Sequence, residues 1–252
     1  MTVITRESPS WLATITHELR GPLTALETAS ELLDRDLEIL DAAQVRTMVS
    51  GIHRRALWMR GLMENLLCSA AINEGRFTVH TRPTDLAEIA REVDVVVGPL
   101  LDRKRQTLRI VASTSELADA DAHRISQVFL NLISNAHKYS AEETEIEIDI
   151  TCDRDIVRVS VSDRGPGLPN DVARSAFRAY DRAGRRGGDG LGIGLWVVRS
   201  IVRAHGGRVG VVNRAGGGAT FWFELRVART QTEFAAAKFM TTTTTTEMVG
   251  AQ

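Results

Sequence analysis

Apolar residues recur at intervals of three and four through Leu12, Ile15, Leu19, Leu23 and Leu26, then Leu32 and Leu33. After a polar break at Asp34–Asp41 the same interval resumes through Val45, Met48, Val49, Ile52, Ala56, Met59, Met63, Leu66 and Leu67. The two runs predict amphipathic helices of about 30 residues each, and the short break between them predicts an antiparallel hairpin. Each helix carries one apolar stripe that a lone hairpin cannot bury. Two hairpins paired as a four-helix bundle would cover both stripes, and packing on the rest of the chain is the alternative.

From Phe77 the pattern changes. Thr78–Arg82 and Leu108–Ala112 read as short strands, and Asp85–Val97 as a helix begun by a capping Asp or Thr. Asp121–Ser140 is predicted helical, with Ile125, Val128, Phe129, Leu132 and Ile133 inward. Glu145–Cys152 and Ile156–Ser162 alternate polar and apolar residues, as antiparallel neighbours do. Leu191–His205 reads as a helix stopped by Gly206–Gly207, followed by strands at Arg208–Asn213 and Ala219–Val227. The order lacks regular βαβ alternation, so the expected class is α+β: a helical hairpin from Ser8 to about Asn73, then, from Phe77, a sheet with helices on one face. Residues 228–252, with six threonines at Thr241–Thr246, have no periodicity and read as a disordered tail.

Composition narrows the classes. The 252 residues carry 31 Lys+Arg against 32 Asp+Glu, a formal charge of −1, which gives no reason to expect a nucleic-acid partner. Cys68 and Cys152 lie far apart in sequence with no CxxC, which argues against a disulfide scaffold or structural zinc. No run is apolar enough to span a bilayer and no signal-peptide core opens the chain, so a soluble, cytoplasmic protein is expected. Glycine is clustered: 14 of the 20 lie between Gly165 and Gly218, where backbone is expected to approach a ligand.

Four short segments could carry chemistry. In LATITHELRGPL, His17 is flanked by Thr16 and Glu18 and lies five residues before Pro22. A neutral imidazole keeps one nucleophilic nitrogen while the other donates to a carboxylate. Pro22 cannot bond to the Glu18 carbonyl, so a kink is expected one turn beyond the His. In NLISNAHKYS, Asn131, Asn135 and Lys138 share a helix face; a carboxamide oxygen can ligate Mg²⁺ and Lys suits phosphate, though an ordinary polar face would look the same. In SDRGPGLP, Asp163 could accept from an exocyclic amine while Gly165 and Gly167 admit a planar base, or the segment is simply a β-turn. In GDGLGIGL, Gly188, Gly190, Gly192 and Gly194 present successive amides before a helix, a phosphate site that is neither a Rossmann nor a Walker loop. Arg182, Arg185 and Arg186 precede it, and AGGGATF at Ala215–Phe221 is a tight glycine turn.

Taken in order, the His-Glu helix, the Asn helix, DxGxG, GxGLGxG and GGxTF resemble the cytoplasmic core of the sensor histidine kinases, over about Ser8–Arg226. The resemblance implies a phosphoacceptor hairpin over residues 8–75 that dimerises into a four-helix bundle, and an ATP-binding α/β sandwich of the Bergerat type over 80–227. It implies His17 as the phosphorylated residue and Glu18 as the acid that activates it. Asn131, Asn135, Lys138, Tyr139, Asp163, Gly165, Gly167, Phe177, Arg182, Gly188, Gly190, Leu191, Gly192, Gly194 and Thr220 would contact ATP, and Asn135 would hold Mg²⁺. The partners implied are a second copy of the chain, a response-regulator receiver domain with an acceptor aspartate, and a separate sensory partner. Autophosphorylation within one subunit or across the dimer stays open.

Some positions depart from the family pattern. Gly21 stands where Thr or Asn usually aligns a water for dephosphorylating the receiver, so poor phosphatase activity is expected. Arg178 replaces an acidic residue after Phe177, the stretch from Asp181 to Asp189 is short for a lid over ATP, and Trp11 replaces a Phe. Two other readings compete with an active kinase. One is a degenerate kinase serving as a dimerisation and binding module. The other is a different ATPase of the same fold, which would have no use for the His-Glu hairpin.

Overall fold

The structure, a computed structural model, describes residues 10–114, 116–178 and 192–228. The chain separates into two compact units, Met1–Phe77 with Pro169–Val197 and Thr78–Leu168 with Val198–Gln252.

The first unit contains the hairpin. Helix α1 spans Ser10–Asp36 and α2 spans Ala42–Asn73. The polar break is shorter than the sequence pattern suggests, because α1 continues to Asp36, whose carbonyl accepts the amides of Ile39 and Leu40 at 3.0 and 3.1 Å. Asp41 then caps α2: its Oδ1 accepts from the amides of Ala43 (2.8 Å) and Gln44 (2.7 Å), and the Gln44 side chain accepts from the Asp41 amide. The helix runs through Pro22 without a break. A single missing bond to the Glu18 carbonyl is bridged by the intact turns on either side. Much of the apolar stripe stays outside: Leu23, Val49, Met63 and Leu67 are 46%, 51%, 52% and 67% exposed. The hairpin alone does not cover it.

The second unit is built on a sheet. Its elements are β1 (Arg82–Thr84), α3 (Leu86–Leu101), β2 (Thr107–Ala112), β3 (Ala118–Ala120), α4 (Ala122–Tyr139), β4 (Glu145–Asp153), β5 (Ile156–Ser162), β6 (Arg208–Asn213) and β7 (Ala219–Arg226). Five strands lie in the order β2-β4-β5-β7-β6; β2 and β4 are parallel and the other pairs antiparallel. Strict alternation buries Ile146, Ile148 and Ile150 of β4, Val157, Val159 and Val161 of β5, and Ala219, Phe221, Phe223 and Leu225 of β7. Helices α3 and α4 cover that face, and Phe129 of α4 meets Phe223 edge-on at 5.8 Å between ring centroids. The class is the expected one: a helical hairpin followed by a mixed α/β sheet domain.

Several boundaries differ from the sequence reading. The strand expected at Thr78–Arg82 lies instead at Arg82–Thr84, because its partner is the three-residue β3, too short to show an alternation of its own. Asp85 rather than Thr84 caps α3, accepting from the amides of Ala87 (2.7 Å) and Glu88 (3.2 Å). That helix runs past Val97, since Leu101 continues its buried stripe beyond Gly98 and Pro99. The short helix α5 (Asn170–Ser175) had no periodic signal, and α6 (Gly194–Ala204) begins after the expected Leu191.

Candidate functional site

The site in the sheet unit begins with how α4 is anchored. Asp121 caps it: Oδ1 accepts from the Arg124 amide at 3.2 Å and Oδ2 from the His80 amide at 3.0 Å. Burial pushes this carboxyl up, but those two amides and the charge of Arg124 outweigh it, leaving it below its ordinary value. The Asp121 amide in turn donates to His205 Nε2 at 3.0 Å, and His205 Nδ1 faces the Ile201 carbonyl at 2.8 Å. His205 is thereby fixed as the tautomer protonated on Nδ1.

Along α4, four of the sequence-selected residues occupy one stretch. Asn131 Nδ2 donates to the Gln127 carbonyl at 3.0 Å. The half-buried Asn135 carboxamide meets no hydrogen-bonding partner among the described residues. The Lys138 ammonium lies 5.3 Å from the centre of the Tyr139 ring, which is 45% exposed.

The loop after β5 meets the end of this helix. The Arg164 amide donates to Ser140 Oγ at 3.3 Å, and a methyl carbon at Gly165 would sit 2.9 Å from the Tyr139 carbonyl oxygen, so only glycine permits this approach. Asp163, 5% exposed, continues the inward alternation of β5. Its Oδ1 accepts from the amides of Gly165 (2.8 Å) and Ala219 (3.2 Å). Its Oδ2 has no donor among the described residues, and no fully buried side-chain polar atom there lacks a partner, so that oxygen is not sealed in the core. A carboxylate so held is oriented, with one acceptor open.

Further groups fix this loop. Asn213 clasps Leu168 in both directions, accepting its amide at 2.8 Å and donating to its carbonyl at 2.7 Å. The Arg214 guanidinium donates to the Asp163 carbonyl at 3.2 Å. A methyl carbon at Gly218 would lie 2.1 Å from that same carbonyl oxygen. Ala219, Asn213 and Arg214 were not selected from the sequence. Ala219 and Arg214 act through or upon backbone from 51 to 56 residues away, a distance at which no local pattern signals contact.

Thr220 is placed by the register of β7 against β5. It lies on the opposite sheet face from Ala219 and Phe221, where its hydroxyl meets Ser162 Oγ at 2.8 Å across the β5–β7 pair. The strand period of two turns it away from Asp163, and Ala219 takes the place next to the carboxylate.

The other candidates divide by location. Phe177 (half-buried), Gly192 (φ +67°) and Gly194, the first residue of α6, belong to the unit containing Pro169–Val197. Arg182, Gly188, Gly190 and Leu191, with Arg185 and Arg186, lie outside the described residues, as does the stretch from 229 to 252. His17 and Glu18 lie on consecutive positions of α1, one turn before Gly21 and Pro22.

Residues 10–75 match the family described as His Kinase A (phospho-acceptor) domain, and residues 120–229 match the Histidine kinase-, DNA gyrase B-, and HSP90-like ATPase family. The chain belongs to the sensor histidine kinases. It is 30% identical over 223 residues to Sensor protein KdpD of Clostridium acetobutylicum, covering 85% of this chain and 24% of that protein. It is 31% identical over 229 residues to the Adaptive-response sensory kinase SasA of a Synechocystis strain, covering 86% of this chain and 59% of that protein. The histidine kinase core thus spans only part of the length of the curated relatives it matches. Among solved structures, full-length ShkA in complex with AMPPNP superposes with a TM-score of 0.60 at 29% identity, covering 89% of this chain and 47% of that one. Among the described residues of this histidine kinase, no helix is long and apolar enough to cross a membrane.

Proposed function

We propose that the chain is an ATP-dependent protein histidine kinase that phosphorylates His17 and passes the phosphoryl group to an aspartate on a response-regulator receiver domain. The observation that carries this reading is Asp163. Its Oδ1 is saturated by two amides and its Oδ2 is open, a fixed acceptor for the exocyclic amine of adenine. Gly165 and Gly167 let the loop pack closely on Tyr139, Asn213 and Gly218, and both would lie beneath the base. Lys138 would meet phosphate. Asn135, with an uncommitted carboxamide, would hold Mg²⁺ together with phosphate oxygens, and the cation supplies charge neutralisation when bound. Gly188, Gly190, Gly192 and Gly194 would offer amides to the phosphates, with Arg182 beside them, and Phe177 would cover the nucleotide. ShkA, which was crystallised with AMPPNP, supports a nucleotide at this fold's site.

The chemistry follows. The unprotonated nitrogen of His17 attacks the γ-phosphorus; an N–P bond forms as the bond to the bridging oxygen breaks, and ADP leaves with that electron pair. Glu18 orients the other ring N–H and stabilises the imidazolium that develops. The phosphoryl group then passes from nitrogen to a receiver carboxylate, returning a neutral imidazole. The uncovered stripe through Leu23, Val49, Met63 and Leu67 supports pairing of two hairpins as a homodimer. Gly21 offers no side chain to align water, so the dephosphorylating activity toward the receiver is weak.

Incubation with γ-labelled ATP and Mg²⁺ tests the proposal. The expected result is an acid-labile label on the wild-type chain that disappears in His17→Gln. Absence of label from both, with the dimer intact, would leave the degenerate binding module in its place.

A further inference from the structure

The turn that ends α4 is held by two residues that neither the motifs nor the nucleotide reading assigns. A helix leaves its last carbonyls without intrahelical partners. Here the ammonium of Lys104, on the short turn Asp102–Lys104 after α3, donates to the carbonyls of His137 (2.7 Å), Lys138 (3.2 Å) and Ser140 (3.0 Å). A cation at this end also complements the helix dipole. Beside it, Gln106, only 4% exposed, donates from Nε2 to the Ala141 carbonyl at 2.8 Å. That orientation aims its Oε1 at His137 Nδ1, 2.7 Å away, which therefore carries the proton. The Glu143 amide returns a bond to the Lys104 carbonyl at 2.7 Å, and the Arg105 guanidinium reaches the carboxylates of Glu142 and Glu143.

This grip falls on the turn whose side chains are Lys138 and Tyr139 and whose far side receives the Asp163 loop. Tyr139's carbonyl faces Gly165, and Ser140 Oγ accepts the Arg164 amide. One flank of the turn is thus set by Lys104 and Gln106 and the other carries the base-recognising loop.

We propose that Lys104 and Gln106 are positioning residues of the nucleotide site: they touch no substrate, but set the end of α4 so that Lys138, Tyr139 and the Asp163 loop hold one geometry. This rests on the nucleotide reading above. If it holds, loss of the clamp weakens nucleotide affinity beyond what general destabilisation explains, because the site must then be ordered when ligand binds.

The test compares wild type, Lys104→Met and Lys104→Arg by calorimetric titration with a non-hydrolysable ATP analogue and Mg²⁺. Each is held well below its own melting temperature, and steady-state autophosphorylation is followed in parallel. Met keeps the aliphatic stem and removes only the donors. The expected result is Kd raised about tenfold in Lys104→Met, KM for ATP rising more than kcat falls, and most of the loss recovered in Lys104→Arg. A lowered melting temperature with unchanged Kd would make the clamp merely structural and overturn the inference. Where Lys104→Met does not fold, Gln106→Met is titrated to the same two ends. A wild-type chain that binds no analogue would overturn the nucleotide reading itself, a result distinct from an unchanged Kd in the variant.

Discussion

Replacing Gly218 by Ala isolates the contact on which the Asp163 loop depends. The new methyl carbon would lie 2.1 Å from the Asp163 carbonyl oxygen, 2.9 Å from its carbon and 3.2 Å from Arg164 Cα, all backbone atoms. Carbon and oxygen in ordinary contact stand well over 3 Å apart, so Asp163 must retreat by roughly 1 Å. Such a shift breaks the 2.9 Å bond from the Asp163 amide to the Ala219 carbonyl, the 3.2 Å bond from the Ala219 amide to Oδ1, and the 3.2 Å bond from Arg214. Gly218 also has φ +95°, a conformation L-residues rarely adopt. Backbone strain of about 1–2 kcal/mol, with about 1 kcal/mol for the neutral bond and about 2 kcal/mol for each of the two involving charge, totals about 6–7 kcal/mol.

Gly216 is the internal control. It shares the turn and has φ +86°, yet nothing lies within 4 Å of a methyl carbon placed there. Gly216→Ala should therefore carry only the strain, about 1–2 kcal/mol. At about 2–4 °C per kcal/mol, calorimetry should find Gly216→Ala melting about 4 °C below wild type and Gly218→Ala about 20 °C below. Titration with an ATP analogue should show measurable binding by the first and none by the second. Melting temperatures within 2 °C of each other, or wild-type nucleotide affinity in Gly218→Ala, would refute the claim that close backbone approach builds this site.

Asp163→Asn keeps an oxygen for the two amides but turns a donor toward the exocyclic amine; ATP affinity should fall about 100-fold with folding retained, read by calorimetry and circular dichroism. Asp121→Ala removes the α4 cap and the anchor of the His80 amide, and urea denaturation should show a loss of about 2 kcal/mol, whereas a loss below about 0.5 would reject the capping role. Burial, then the charges of Lys104 and Arg103, hold the His137 imidazole below its ordinary pKa. The unfolded chain therefore binds more protons than the folded one between the two values, so this contribution is complete above about pH 6.5 and is lost as pH falls through the lower value. His137→Gln should flatten that acidic limb of a melting-temperature profile, and an unchanged slope would exclude His137 as its source. Gly21→Thr has open space for its side chain, so it should fold and raise ATP-independent dephosphorylation of the receiver, measured on a phosphorylated receiver; no rise would reject the proposal that Gly21 limits this activity.

Periodicity alone was enough for the long elements. The spacing of three and four marked α1, α2 and the inward face of α4, and alternation marked β4 and β5, because each pattern repeats often enough to be read locally. Alternation also carries one step past the end of β5 and places Asp163 inward, which makes a carboxylate there informative from sequence. What tertiary structure decided is long-range. Strands of three residues such as β1 and β3 exist only because they find each other. Ala219 rather than Thr220 faces Asp163 because the register of β7 against β5 sets which side chain looks inward. Lys104 and Gln106 act on a helix end more than 30 residues away, through carbonyls that every residue possesses. A backbone acceptor has no letter in the sequence, so contacts made to it become visible only once the chain has folded.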